Sequence, residues 1–354
     1  MRPALHPRLV NPPESDPAVY IPFLFQNRAV LFDLGNLEAL TSREILKISH
    51  VFVSHMHMDH FYGFDRLLRI CLGRNKRIHL FGPEHFLDSI RGKLAAYTWD
   101  LVQNYPHSFT IEATEIRPDG LVTQEFPCRT GFNPMDTARF RPASRFVHSE
   151  PGLHVACESL DHSIVSMAYA LKERFHIHIL RDQLDAMGLP TGPWLSELKK
   201  AIYRKEDPES EFQIPLPGRN PLRFSFQELC DRVTRTTPGQ KIAYITDALY
   251  TEANIRKMIS LAENADHLFI EAAFLEEHRE LARRKNHLTA AQAGTIAGLA
   301  NVRQFTIFHF SPRYSGMFSV LEREAREAFG THFKGTKNGR MNPAAIPDDF
   351  PAGT

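Results

Sequence analysis

The stretch Val51-Phe52-Val53-Ser54-His55-Met56-His57-Met58-Asp59-His60 decides how this chain is read. Val51, Phe52 and Val53, with Ile48 just ahead, form a β-branched and aromatic run, which predicts a short buried strand. The run stops at Ser54, and four groups able to ligate a metal follow: His55, His57, Asp59 and His60. His55 and His57 point the same way in an extended segment. Asp59 and His60 are adjacent and point apart unless the chain turns there. One such segment can feed two neighbouring ions, a pair of ligands each. A chain with 18 His will also bring a few together by chance or for core hydrogen bonds. The ordered spacing, the acidic member and the strand-to-loop position favour a metal site.

The length of 354 residues suggests about two domains as a starting point. With 43% apolar and 23% charged residues, the composition is that of an ordinary globule with enough bulk for a large core. Cys71, Cys128, Cys157 and Cys230 are scattered without a Cys-x-x-Cys pair. They read as small buried hydrophobes in a reducing compartment, not as a disulfide frame or zinc knuckle. The start lacks an apolar leader core and no run of 18 apolar residues occurs, so the expected location is cytoplasmic, away from membranes. A net charge of +1 leaves nucleic-acid binding to local patches.

Taken in order, residues 1–17 read as a surface lead-in, and residues 20–25 and 28–32 as two strands around Gln26-Asn27. The second strand runs into Asp33-Leu34-Gly35. Thr41 and Glu44 have capping-box spacing, which predicts a helix up to Ile48. A helix over 63–72, a strand over 77–81 and a helix over 84–94 follow the histidine cluster, then several strands between 97 and 160. Residues 175–225 contain Gly188, Pro190, Gly192, Pro193, a basic helical stretch over 194–205 and four further Pro. That is too long for a connector and predicts an inserted arm. Strand–helix alternation resumes at 241–247, 252–261, 267–270, 290–299 and 304–308. The expected layout is one domain over 1–330 carrying the arm, then a loose tail over 331–354.

Strand ends deliver Asp33, the His55–His60 cluster, Asp247 and His309, and His162 stands at a loop-to-strand junction. This is where αβ proteins build sites. Two divalent ions about 3.5–4 Å apart need around six protein ligands plus a shared one. The count is met: His55, His57 and His162 could hold one ion, Asp59, His60 and His309 the other, and Asp247 could bridge both. Imidazole and carboxylate donors suit Zn2+, with Mn2+ or Fe2+ open by the same logic.

At this point the chain resembles the metallo-β-lactamase superfamily and, within it, ribonuclease Z, the endonuclease that trims precursor tRNA 3′ ends. The resemblance runs from about Leu31 to Tyr314. His-x-His-x-Asp-His stands as His55 to His60 with Gly63 three residues on. The next metal histidine matches His162, the bridging aspartate Asp247, and the last ligand His309 in His309-Phe310-Ser311-Pro312-Arg313-Tyr314. Glu271-Ala272-Ala273-Phe274, the stretch from His287 to Ala293 and the Gly188–Pro193 segment are similar to ribonuclease Z in particular. Three departures stand out. The family's Gly-rich loop leading into Pro-x-Lys-x-Arg-Asn has no counterpart in residues 11–17, Thr246 stands where Gly is usual, and Leu288 stands where Ser is usual.

The resemblance implies an αββα sandwich with an inserted arm and hydrolysis of a phosphodiester by a hydroxide shared between two ions. It implies that His287, paired with Glu271, assists the leaving oxygen, that Asp59 takes a proton while ligating, and that Asp33 orients a ligand histidine. Taken alone, Asp33 reads more often as a turn-capping carboxylate, and the other reading of His287 is a solvated ring at a helix start. Ser311 and Arg313 could meet phosphate oxygens, and Arg313 reads equally as a structural salt-bridge partner. Gly192 and Pro193, with Lys199, Lys200, Arg204 and Lys205, would grip RNA on the arm. The basic runs at 74–77 and 283–285 read as solvated faces. The expected substrate is precursor tRNA and a homodimer is compatible. The alternatives are a hydrolase of a small phosphodiester such as a cyclic nucleotide, and a non-catalytic RNA-binding or scaffolding protein.

Overall fold

A computed structural model describes residues 4–334 apart from positions 25, 135 and 217. The chain divides into two compact units: one made of residues up to Ser149, His154–Lys172 and Lys241–Lys334, the other of Glu150–Leu153 and Glu173–Gln240.

The first unit holds two sheets. One has eight strands lying in chain order: Arg8–Leu9, Val19–Pro22, Ala29–Phe32, Ile48–Phe52, Lys76–Gly82, Phe109–Arg117, Gly120–Pro127 and Arg139–Pro142. Its central four, from Ala29–Phe32 to Phe109–Arg117, are parallel. The other sheet has six strands, in the order Phe305–Phe308, His267–Glu271, Lys241–Ile245, Val165–Glu173, Leu153–Asp161 and Phe146–Glu150. Its first three are mutually parallel, and Lys241–Ile245 meets Val165–Glu173 antiparallel.

Period-two alternation explains why these strands read as continuous apolar runs: both faces are covered. Ala29, Leu31, Ile48, Val51, Ile78 and Leu80 pack with Ile45, Leu67, Leu68, Phe86 and Ile90 from the helices Ser42–Lys47, Phe64–Cys71 and Phe86–Ala95. Ala243, Ile245, Leu268 and Ile270 pack with Met258, Ile296 and Leu321 from Glu252–Ala262, Ala290–Leu299 and Phe318–His332. The alternate residues join the sheets through rings. Phe32 stacks on Tyr169 at 6.0 Å and on Tyr244 at 5.4 Å, and Tyr244 stacks on Phe308 at 5.4 Å. The layers are therefore helix, sheet, sheet and helix, the expected αββα order.

Most expected elements fall where the pattern puts them, including the Thr41–Glu44 capping box. Of the expected surface lead-in over 1–17, residues 1–3 lie outside the described residues and 4–17 are built into the fold. Arg8–Leu9 pairs with Val19–Pro22, and Leu5 and Val10 are buried. Of the expected tail, residues 331 and 332 end the helix Phe318–His332, and 335–354 lie outside the described residues.

The second unit has its own small core of Leu184, Trp194, Leu198, Ala201, Ile214, Phe226, Leu229 and Val233. It is wider than the arm expected at 175–225 because its first strand, Phe175–Ile179, pairs with its last, Thr234–Pro238. Trp194, Leu198 and Ala201 line one face of the helix Trp194–Arg204. Pro215 and Pro221 sit in a two-stranded hairpin, Glu211–Leu216 with Arg219–Ser225, where each strand is an edge that tolerates a missing N–H.

Candidate metal centre

Five strands of the first unit stop at chemistry. Asp33 follows Ala29–Phe32, Ser54 and His55 follow Ile48–Phe52, Asp247 follows Lys241–Ile245, Glu271 ends His267–Glu271 and His309 follows Phe305–Phe308. Asp33, Asp247 and His309 each adopt a left-handed backbone, with φ of 57°, 43° and 63°. Non-glycine residues reach that region at a cost, and such strain gathers at working sites.

Among the described residues, the ligand-type side chains converge in three groups: two hold the residues expected as ligands, and a third joins Asp247 and His309 to Glu271 and His287. Donor atoms of His55, His57, His162 and Asp247 lie within 4.8 Å of one another, and so do those of Asp59, His60 and His309. Asp247 stands between these two groups. Its Oδ2 is 3.6 Å from His55 Nε2 and 3.5 Å from His162 Nε2. Its Oδ1 is 3.6 Å from both His60 Nε2 and His309 Nδ1. Asp59 Oδ2 lies 3.4 Å from His60 Nε2 and 3.2 Å from His309 Nε2. Asp59 and His60 do not point apart, because the chain turns into the short helix Met58–Phe61. Gly63 permits that turn to seat: a Cβ there would lie 2.2 Å from the Gly35 carbonyl oxygen.

The groups behind the imidazoles set their tautomers. Asp33, fully buried, accepts from the Ser54 amide, the Ser54 hydroxyl and the Tyr244 hydroxyl at 2.6–2.7 Å. Its Oδ2 also lies 2.7 Å from His60 Nδ1, so that nitrogen carries the proton and Nε2 turns its lone pair to the centre. His162 Nδ1 donates to the Asn286 carbonyl at 2.8 Å, with the same consequence. Thr246 donates its hydroxyl to Asp247 Oδ1 at 2.8 Å, a bond that glycine could not make. Leu288, by contrast, is simply part of the helix-side core.

Electrostatics favour ligand-ready forms of His55, Asp59 and Asp247. Against burial, by contrast, Asp247 and Asp33 raise His60, and Asp247 and Asp59 raise His309, so these two rings give up a proton when a cation binds. Burial, with His60 nearby, pushes His55 down to about 2, so the ring is neutral. Burial would raise the Asp247 carboxyl, but His309 and His60 hold it well below the usual carboxylate range. Burial likewise opposes ionisation of Asp59, and hydrogen bonds from His309 and His60 bring it down. A cation fits this donor set. His60 Nε2 and His309 Nδ1 are buried nitrogens without a hydrogen-bond partner, both directed at Asp247, and two carboxylates stand ready to balance positive charge.

His287 sits at the edge of this centre. Its Nδ1 is 2.9 Å from Glu271 Oε2, while Glu271 Oε1 accepts from the Ala248 amide at 2.8 Å. Burial favours the neutral ring, yet Glu271 and Asp247 raise His287 to about 9. A cavity of about 370 Å³ opens here, lined by Asp59, His287, His309 and Ser311 and also by Glu14 and Asp16. Sequence reasoning misses these last two acids, and Pro12-Pro13 is the only local sign of a turn there. Ser311 accepts from the Arg313 amide and Arg313 is exposed. In the second unit, Lys200 pairs with Glu197 at 2.7 Å and Arg204 with Glu206 at 3.8 Å, while Lys199 is half-buried. Gly192 and Pro193 immediately precede Trp194 there, with Pro193 at the helix N-cap.

No model of a known protein family matches the chain. The chain is 31% identical to ribonuclease Z of Thermobifida fusca over 271 residues, covering 75% of this chain and 69% of that protein. It is 27% identical to ribonuclease Z of Deinococcus radiodurans over 288 residues, 80% and 83% of the two chains. With ribonuclease Z of Lactiplantibacillus plantarum the match is 26% over 334 residues, 91% and 90%. Among solved structures, the metallo-β-lactamase fold protein YhfI of Bacillus subtilis superposes with a TM-score of 0.50 at 14% identity, over 89% of this chain and 86% of that one, a likeness of fold alone. The layered sheets, the two donor groups that meet at Asp247 and these relatives agree: the chain belongs to the ribonuclease Z family, on a metallo-β-lactamase fold.

Proposed function

We propose that the chain is a metal-dependent phosphodiester hydrolase that removes 3′ trailers from precursor tRNA, as the ribonuclease Z family does. The observation that carries this reading is the placement of Asp247, with one carboxylate oxygen toward each donor group. His55, His57 and His162 would hold one divalent ion and Asp59, His60 and His309 a second, with Asp247 shared. Zn2+ suits the nitrogen and oxygen donors best, and Mn2+ or Fe2+ can use the same set. Bound there, the ions supply Lewis-acid stabilisation of the charge that develops on a diester during in-line displacement.

The chain's own groups do the rest. Asp33 holds His60 in one tautomer, and the Asn286 carbonyl does so for His162. Asp59, which lines the cavity, would accept a proton from the attacking water. Glu271 fixes His287 through Nδ1, which leaves Nε2 to donate to the departing oxygen. Ser311 lines the same cavity and could meet a phosphate oxygen, with Arg313 two residues on. In the second unit, exposed Lys200, Arg204 and Lys205, with Lys199, Gly192 and Pro193 beside them, offer positions for RNA backbone contact. Their acidic partners weaken the local field.

The test is to incubate metal-loaded protein with a 3′-extended tRNA beside a chromogenic diester. Cleavage near the trailer junction is the expected result. Turnover of the small diester with the RNA untouched would favour the small-substrate reading, and turnover of neither would end the hydrolase reading.

A further inference from the structure

The loop from Asn11 to Pro17 is built into the wall of the cavity beside the proposed metal centre. The Phe310 amide, one residue past His309, donates to the Pro13 carbonyl at 3.0 Å. The Gly35 amide, two residues past Asp33, donates to the Pro17 carbonyl at 3.0 Å. Asn11 Nδ2 donates to the carbonyls of Asp16 at 2.7 Å and Asn36 at 2.6 Å. The fit at Gly35 is close enough that a Cβ there would lie 2.5 Å from the Pro17 oxygen. These bonds tie the loop to the strand ends that carry His309 and Asp33 and present Glu14 and Asp16 to the cavity that Asp59, His287 and His309 also line.

Two acids are an unusual wall for a site meant for an anionic diester. Among the described residues neither forms an ion pair, and Asp16 belongs to neither group of converging metal donors. Carboxylates there repel a phosphate by like charge and so face another part of the nucleotide. They are strong acceptors for hydroxyl groups, and acidic side chains bind ribose hydroxyls in this way in nucleotide sites. A cavity of about 370 Å³ is at the small end of ligand sites and has room for one nucleoside unit, not for a helical stretch. Lys285, also on the wall, is available to a phosphate attached to that unit.

We infer that Asp16 and Glu14 are specificity-determining residues that accept the ribose hydroxyl of a nucleotide flanking the scissile diester, so that the site selects ribose over deoxyribose at that position. The inference rests on the phosphodiesterase reading given above and names its sugar selectivity. The 2′-hydroxyl is the group that distinguishes RNA from DNA at a given position.

The experiment uses the full, metal-loaded chain and three versions of one 3′-extended tRNA: all ribose, and two with a single 2′-deoxy residue on either side of the cleaved bond. For the native protein, one of the two deoxy substrates should be cleaved about 10- to 100-fold more slowly, the loss expected for one charge-assisted hydrogen bond. The ratio of ribose to deoxy rates at that position should fall toward one in Glu14→Ala/Asp16→Ala. It should fall less in Asp16→Asn, which keeps one acceptor oxygen. Each ratio is internal to one preparation, so a general loss of activity cancels. Equal rates on all three substrates with the native protein, or a full deoxy penalty in the double variant, would overturn the inference alone. No cleavage of the all-ribose RNA would overturn it together with the tRNA reading.

Discussion

The two donor groups around Asp247 are not equivalent. His55, His57 and His162 are all imidazoles, and two of them are backed by neutral partners: the Ser54 hydroxyl stands 3.0 Å from His55 Nδ1 and the Asn286 carbonyl 2.8 Å from His162 Nδ1. In the other group Asp59 is itself a carboxylate, and His60 is backed by the carboxylate of Asp33 at 2.7 Å. Thr246 adds no charge but orients Asp247 by donating its hydroxyl to Oδ1, the oxygen that faces this second group. Negative charge is therefore concentrated on the second side, where an opposite charge gains most by proximity in a poorly solvated place. The two positions should differ in affinity, the second holding its ion more tightly. A symmetric pair of sites would have shared its carboxylates evenly.

The largest effect should come from removing what the two sides share. Asp247→Ala is expected to abolish turnover and release metal from both positions, read together by activity and elemental analysis. Loss of activity with both ions kept would mean that Asp247 does chemistry without binding metal. His287→Ala comes next, with turnover lowered roughly 10²–10⁴-fold, the size of a lost general acid, and the metal content unchanged. An ion lost from that variant would make His287 a ligand, which its place in a third converging group with Asp247, Glu271 and His309 makes worth checking. Asp33→Asn should weaken the second position about 10- to 100-fold and leave the first nearly alone, seen as one shifted step in a metal titration. Equal weakening of both steps would erase the asymmetry argued here. The smallest effect belongs to Thr246→Val, which deletes one hydrogen bond to Asp247. A loss of about 1 kcal/mol, or roughly fivefold in second-site affinity, is expected.

Much of this centre is legible in the amino-acid sequence. Site residues placed just after apolar strands are easy to read, because burial on both faces makes the strand a plain apolar run and its end an abrupt polar stop. Asp33, His55, Asp247 and His309 are all of that kind. Asp59 and His60 are legible as residues but not as geometry, since the helical turn at Met58–Phe61 depends on the seat that Gly35 offers to Gly63. The roles of His287 and Glu271 come from resemblance, because their 2.9 Å contact joins a strand end to a helix entry 16 residues on. Glu14 and Asp16 are not legible at all. Their loop is held by backbone bonds from Phe310 and Gly35, and no local pattern announces partners so far along the chain. The second unit is visible as an insertion but its extent is not, since Phe175–Ile179 and Thr234–Pro238 pair across nearly sixty positions.

The central claim is that two ions sit on either side of Asp247, and counting them tests it most directly. Elemental analysis of protein purified without chelator should find about two zinc-class ions per chain, and about one in His162→Ala, where only the all-imidazole side is damaged. Native protein that contains no transition metal, or that never exceeds one ion per chain under saturating metal, would contradict the account.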